Sequence, residues 1–351
     1  MKAARLYGVR DLRVEDVADP EPGPGEALIR IHSCGVCPSD LRSYLGARSS
    51  TGALGLPRTP GHEWTGVVVA LGESTANTSS EASARAPSIK VGDRVVADWR
   101  YVCGQCYQCR RGVFNYCENL RRGVRGGFAE YGVAPLSQLR VIPDHVSFEE
   151  ASFCEPLACI INAHSYTEIS VGSDAVIVGA GPIGLMHLQL ARNRGARVIV
   201  SDPISARLEK AQELGAHDVI DASTTNPVER VKELTDGRGA DAVIVAVGAA
   251  EPIRQGLEMA TINGWVNIFA GTYPPLELPV DPNLIHYRQM RVTGSHDFTP
   301  HHFSTALKLI QFGIVRVAPL ISHRFELDDV RDAFETTAGR RGLKSIVLPT
   351  H

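Results

Sequence analysis

Four cysteines crowd into CGQCYQCRRGVFNYC, at Cys103, Cys106, Cys109 and Cys117. Their spacing, Cys-x2-Cys-x2-Cys-x7-Cys, lets one loop bring four thiolates to a tetrahedral Zn²⁺ with no open position. A closed site admits no substrate, so its task would be to fix the loop. Arg110 and Arg111 alongside would offset part of the thiolate charge. Disulfides are disfavoured in a chain of this length without a secretion signal. Four reduced, unliganded thiols so close together would be liable to oxidation. The stretch therefore predicts a structural zinc loop.

A second set is scattered. CGVCPSD supplies Cys37, Ser39 and Asp40; PGHEWTG supplies His62 and Glu63; FCEPLAC supplies Glu155. A lone His beside a Glu is usually a surface pair, and a lone Cys a small buried hydrophobe. Together they form a Cys/His/carboxylate set, and three protein ligands plus a water is the composition of a catalytic zinc centre. A third signal is Gly179-Ala180-Gly181-Pro182-Ile183-Gly184, which follows an apolar strand and opens a helix. Such glycines allow a tight turn, close approach of backbone to a pyrophosphate and tight helix–strand packing, with the helix N-terminus attracting phosphate. Asp202 closes the next strand at the fingerprint distance of roughly 20 residues, where a carboxylate accepts the ribose hydroxyls and repels a 2′-phosphate. That favours NAD over NADP; the alternative for Asp202 is a strand-end or helix-capping residue. Arg207 joins this candidate cofactor set.

These residues need elements to hold them. The first 150 or so residues read as short strands such as EALIRIH, TGVVVALG and DRVVAD, separated by Gly- and Pro-rich turns, an all-β module. The stretch 72–90, rich in Ser, Ala and Thr without apolar period, reads as a mobile surface insertion with no function of its own. After about residue 170 strands alternate with helices: DAVIVGAG, then PIGLMHLQLARNRG as helix, RVIVSD, SARLEKAQELGA as helix, and so on through EPIRQGLEMATING (helix), WVNIFAG and MRVTGSH (strands). That rhythm predicts a parallel sheet covered on both faces. The tail from HHFSTALKLIQFG onward returns to the first domain.

The chain has 351 residues, too many for one core to serve comfortably, so two domains are expected. A net charge of −3 offers no basic surface for nucleic acid. Apolar runs such as DAVIVAVGAA are too short and too Gly-broken to span a bilayer, and the N-terminus lacks a signal peptide's apolar segment. A cytoplasmic enzyme with no membrane partner is the expectation.

From MKAARLYG onward, CGVCPSD, PGHEWTG, VGDRV, the four-cysteine loop, GGFAEY, EPLAC, VGAGPIGL, SDPISARLEKAQELGA and LIHYRQMRVTGS fall in one order over nearly the whole chain. In this the sequence resembles the zinc-dependent medium-chain alcohol dehydrogenases of the polyol (sorbitol) dehydrogenase type. The resemblance implies an α/β architecture: a GroES-like β-barrel catalytic domain, 1–156 plus 295–351, and a Rossmann NAD-binding domain, 157–294, with the active site in the cleft between them. It implies two zinc ions per chain. Cys37 and His62 would ligate the catalytic one, with Glu63 and Glu155 as the carboxylates around it, unranked. Ser39 would accept the alcohol proton, although a serine before SDLRSYLG is also a good N-cap. Asp40 would orient the metal site. Cys34, Cys154 and Cys159 match no ligand position and would be core.

The chemistry implied is oxidation of an alcohol to the ketone, with hydride passing to the nicotinamide, or the reverse. A secondary alcohol of a polyol or cyclitol is the leading substrate class. An amino alcohol, threonine-like or an aminocyclitol, is the second. A nucleotide-binding regulatory protein without catalysis is the reading from another class. Homodimers or homotetramers are implied, with WVNIFAG continuing the sheet across an interface. Three features depart from the family: Arg42 where many relatives carry a relay histidine, Pro38 where Gly is frequent, and the length of 72–90. Tyr44, Trp99, Phe128 and His296 are candidates either for the substrate pocket or for packing.

Overall fold

The computed structural model describes residues 1–46, 55–73, 89–120 and 126–349. Most of the insertion expected at 72–90 falls outside them, from 74 to 88. The chain divides into two compact units, Met1–Pro156 with Thr299–Gln311 and Val317–His351, and Leu157–Phe298 with Phe312–Arg316.

The first unit is built on a seven-stranded sheet. Its order is Ile321–Glu326, Lys344–Leu348, Glu26–Gly35, Glu63–Leu71, Arg94–Ala97 and Leu139–Val141, with Tyr131–Pro135 also paired to Glu26–Gly35. A two-stranded ribbon, Lys2–Gly8 with Asp11–Asp16, lies apart from that sheet. Strand Glu26–Gly35 alternates buried and less buried residues before it becomes buried throughout at its end, the pattern of a strand running from a sheet face into a core. Tyr44, Trp64, Phe128 and Phe334 are fully buried in that core. Phe334 meets Tyr44 and Phe128 edge-on, at centroid distances of 5.3 and 5.4 Å, a preferred aromatic geometry. Tyr44 and Phe128 are thus packing residues.

The second unit carries six parallel strands in the order Asp218–Asp221, Arg197–Asp202, Asp174–Val178, Ala240–Val245, Ala260–Ile268, Arg291–Gly294. Numbered along the chain this is 3-2-1-4-5-6, the doubly wound dinucleotide-binding order, whose ligand crevice lies at the carboxyl ends of the strands where the order reverses. Its core is aliphatic, with Val176, Ile199, Val243 and Val266 fully buried. Helices Cys154–His164 and Pro182–Asn193 meet through two buried imidazoles, His164 Nε2 to His187 Nδ1 at 3.1 Å, their rings stacked at 5.2 Å.

Three expectations are corrected. The helix predicted through ATING stops at Met259, and strand Ala260–Ile268 begins at once. Its left-handed Asn263 (φ 63°) and a register shift against the neighbouring strand let it take up the extra residues as an irregular strand start. The edges of the sheet are Asp218–Asp221 and Arg291–Gly294; the WVNIFAG strand is internal. Residues 295–298 and 312–316, assigned above to the first domain, cluster with the second unit. Side-chain amides hold them there: Asn162 on the carbonyls of His296 and Asp297, Gln189 on that of Arg316, Asn193 on that of Ile314. Among the described residues no helix is long and apolar enough to cross a membrane.

Candidate metal and dinucleotide sites

In the first unit, Cys37 caps helix Pro38–Tyr44, with Pro38 at its first position, where a missing N–H costs nothing and the fixed φ suits the helix. Ser39 is therefore inside the helix, not at its N-cap. Its hydroxyl instead donates to Cys37 Sγ at 3.3 Å. One turn of that helix turns Asp40 inward, where it is buried. Asp40 Oδ1 accepts from the Gly61 N–H at 3.3 Å, and Oδ2 stands 3.5 Å from His62 Nδ1. The other ring nitrogen, Nε2, faces Glu155 Oε1 at 3.8 Å. Glu63 opens the strand Glu63–Leu71 and pairs across to Gly35. A Cβ at Gly35 would stand 2.1 Å from Glu63 Oε2, so only glycine leaves room for this carboxylate.

One ligand atom each from Cys37, His62 and Glu63 lies within 4.8 Å of the others. A thiol, an imidazole and a carboxylate converging at that distance fit the donor set of zinc, with the Asp40 carboxylate on the far side of the imidazole. Burial alone would depress His62, but the charges of Asp40 and Cys37 raise it well above the usual imidazole range. Burial works against ionised Asp40 too, yet His62 and the Gly61 N–H hold its carboxyl below the ordinary value. Glu155, buried, is pushed upward by desolvation against the pull of His62.

The two carboxylates left unranked by sequence have different partners. Glu155, in the first turn of helix Cys154–His164, accepts from Trp99 Nε1 at 3.1 Å. Trp99 also meets His62 edge-on at 5.9 Å. Of the four pocket candidates, Trp99 is the one seen at this centre; His296 is largely exposed beside Asp297. Glu63 is ion-paired to Lys344, both side chains almost wholly buried. Burial would lower Lys344, but Glu63 holds its ammonium above the ordinary value. Sequence reading missed Lys344. It arrives from the last strand, and no local pattern in RGLKSIVL marks it. Arg42 is exposed on the outer face of its helix. Cys34 and Cys154 are fully buried, while Cys159 is only half-buried.

The four-cysteine loop is a small lobe with its own apolar cluster of Cys106, Cys109 and Cys117 against Val102, Phe114 and Leu120. None of the cysteines is disulfide-bonded, and the four sulfurs lie within 4.8 Å of one another. Backbone N–H groups aim at them: Cys103 N at Cys117 Sγ (3.3 Å), Cys106 N at Cys103 Sγ (3.4 Å), Cys109 N at Cys106 Sγ (3.5 Å). The N–H groups of Gln105 and Cys106 hold the Cys103 thiol down at about 6, while burial pushes Cys109 up to about 12. Backbone dipoles turned toward sulfur favour thiolate, as a closed tetrathiolate zinc site requires.

In the second unit, the glycine turn closes strand Asp174–Val178 and starts helix Pro182–Asn193, with Gly181 as N-cap. Gly179 is left-handed (φ 101°), and a Cβ at Gly184 would stand 1.7 Å from the Gly179 carbonyl oxygen. The turn thus closes only with glycine at both places, leaving the helix N-terminus bare for an anion. Asp202 is buried at the end of strand Arg197–Asp202. Its Oδ2 accepts from Ala180 N at 2.7 Å, within the glycine turn, and its Oδ1 from Ile204 N at 2.9 Å. An ionised carboxylate offers about four lone-pair positions, so the two bonds brace the turn and leave acceptor capacity for a ribose. Arg207, half-buried, stands in the first turn of helix Ser205–Glu213.

Comparison with known proteins places both parts of the chain in one family. Residues 23–144 match the alcohol dehydrogenase GroES-like domain, and residues 182–311 match the zinc-binding dehydrogenase family. L-threonine 3-dehydrogenase of Pyrococcus abyssi is 35% identical over 97% of this chain and 96% of its own length. Sorbitol dehydrogenase of Halalkalibacterium halodurans is 31% identical over 98% of this chain and 97% of its own. Among solved structures, a zinc-binding dehydrogenase of Sinorhizobium meliloti 1021 bound to NADP superposes with a TM-score of 0.89 at 33% identity, covering 99% of each chain. On these matches the chain belongs to the zinc-dependent alcohol dehydrogenases, oxidoreductases that pair zinc with a nicotinamide dinucleotide.

Proposed function

We propose that this enzyme transfers hydride between a secondary alcohol of a polyol or cyclitol and NAD. The observation that carries the proposal is the convergence of Cys37, His62 and Glu63 beside the Ser39 hydroxyl. Zinc held by these residues would supply Lewis acidity, lowering the pKa of an alcohol hydroxyl toward neutrality. Ser39 is the group that takes up the alcohol proton and passes it outward. Asp40 keeps the His62 ring turned so that Nε2 faces the centre. Glu63, charge-balanced by Lys344, stands as the carboxylate ligand; Glu155, held by Trp99, is the carboxylate that faces the imidazole from the other side. The Gly179, Gly181, Pro182, Ile183 and Gly184 turn seats the pyrophosphate, and Asp202 accepts the adenosine ribose while Arg207 lies alongside. The four cysteines hold a second, structural zinc.

An amino alcohol is the second reading, favoured by the 35% identity to a threonine dehydrogenase. The NADP in the Sinorhizobium relative makes cofactor choice a matter for measurement. The test is NAD and NADP reduction against polyols, cyclitols, aminocyclitols and L-threonine, with metal analysis. Two zincs per chain are expected, one of them lost in Cys37→Ala. Equal turnover with NADP would sink the Asp202 reading, and threonine as the best substrate would sink the polyol reading. The edge strand Arg291–Gly294 supports a homodimer or homotetramer, readable by light scattering.

A further inference from the structure

We propose that residues 98–100 couple the four-cysteine loop to the alcohol-binding centre, with Arg100 as the positioning residue; the proposal rests on the reading of Cys37, His62 and Glu63, with Glu155 beside the imidazole, as that centre. The three residues directly follow strand Arg94–Ala97. On one side Trp99 donates to Glu155 at 3.1 Å and abuts His62. On the other, the buried guanidinium of Arg100 donates through Nη2 to the Asn115 carbonyl at 2.5 Å. Asn115 belongs to the turn Phe114–Tyr116, immediately before Cys117. The Arg100 guanidinium also lies 5.2 Å from the Trp99 ring centroid, so the adjacent side chains touch each other as well as their separate targets.

The segment has little freedom to absorb a displacement. Asp98 Oδ1 accepts from the Arg100 N–H at 2.9 Å, and the Asp98 N–H donates to the Gln138 carbonyl at 2.9 Å. A movement of the Asn115 carbonyl is therefore passed to Arg100 and from there to the indole that holds Glu155. Asn115 in turn depends on the cysteines. Among the described residues the lobe has only a four-residue helix, Tyr107–Arg110, and the three-residue turn, with no strand in any of the three sheets. Gathered thiolates are what fix such a lobe. The guanidinium is buried and its Nη2 bond to the Asn115 carbonyl is costly to give up out of water, so Arg100 follows the carbonyl rather than abandoning it. Whether the loop is closed on its metal thus sets where Glu155 stands.

The test labels the three tryptophans, Trp64, Trp99 and Trp265, with 5-fluorotryptophan and assigns the Trp99 fluorine resonance with Trp99→Phe. Zinc content and kcat/KM are read on the same samples. Cys117→Ser should release one zinc, move the Trp99 resonance while Trp265 stays fixed, and lower kcat/KM about tenfold, the scale for residues that support a metal ligand. Arg100→Met should move Trp99 the same way while both zincs remain, and Arg100→Lys, which keeps a donor, should bring it part of the way back. The Cys117→Ser/Arg100→Met double variant should be no worse than the stronger single one, because both cut the same chain of contacts. A Trp99 resonance unmoved in either single variant, or additive losses in the double, overturns the proposal. Should Cys117→Ser not fold, the Arg100 pair decides alone, on the same resonance. If Trp99 responds as expected in a protein that oxidises no alcohol, the coupling stands and the functional reading falls.

Discussion

Removing the Lys344 ammonium should unfold the first unit more easily by an amount its burial makes large. Glu63 and Lys344 side chains are 1% and 7% exposed, and they form an ion pair. At a contact of roughly 3 Å and an effective dielectric of about 20, two unit charges attract by about 5 kcal/mol. The net worth of the pair is smaller, because both groups were taken out of water. Deleting one partner, however, leaves the other's desolvation unanswered, which costs about 3–5 kcal/mol. For a unit of this size each kcal/mol moves the thermal midpoint by about 2–4 °C, so Lys344→Met should lose about 6–20 °C in calorimetry. The loss should be largest in metal-free protein, since a dication beside Glu63 takes over part of the ammonium's role. Lys344→Met/Glu63→Gln should recover more than half of it, because neither charge is then stranded. A single variant that melts within 2 °C of wild type, measured without metal and judged against the roughly 6 °C minimum, would refute the reasoning. So would a double variant no better than the single.

Acid should loosen the second unit through the His164–His187 pair. Burial pushes His187 down to about 3 and His164 well below its ordinary value, with the Arg194 charge adding to the effect on His164. An unfolded imidazole takes up its proton near 6.5, so this stability is complete above about pH 6.5 and drains as pH falls toward 3, by about 2 kcal/mol per histidine at pH 5. Urea midpoints followed from pH 7 to pH 5 should fall accordingly, and His187→Leu should remove about one proton from the slope; an unchanged slope counts against it. Asp202→Ala should raise KM for NAD and narrow its lead over NADP. Because it also deletes two bonds to backbone N–H groups, it should cost about 1–3 kcal/mol in cofactor-free protein; unchanged stability would mean the brace is idle. Gly184→Ala, whose Cβ would collide with the Gly179 carbonyl, should weaken NADH binding by fluorescence titration at least tenfold, and full binding would show that the turn can open.

Local chemistry was legible because it is written in contiguous residues. The spacing of Cys103, Cys106, Cys109 and Cys117 confines four sulfurs to one loop whatever the rest of the chain does. The Gly179-x-Gly181-x-x-Gly184 turn between an apolar strand and a helix admits few backbones, since Gly184 has no room for a Cβ. The alternation of strands and helices after residue 170 allowed a parallel sheet. Its boundaries were less certain: the helix through ATING dissolved into strand because the sheet register, not local propensity, governs that segment.

Tertiary structure alone decided which charges meet. Lys344 finds Glu63 across 281 positions of sequence, because the last strand pairs beside Glu26–Gly35. Trp99 reaches Glu155, and Arg100 reaches Asn115, only once strand Arg94–Ala97 is laid against its neighbours. Asp202 was read as a ribose acceptor; folding also made it the brace of the glycine turn. The sequence by itself determined the types of ligand available and their grouping into a loop, a turn and three scattered motifs. The order of strands in space determined their partners, because a side chain's field and hydrogen bonds act over a few ångströms and are indifferent to distance along the chain.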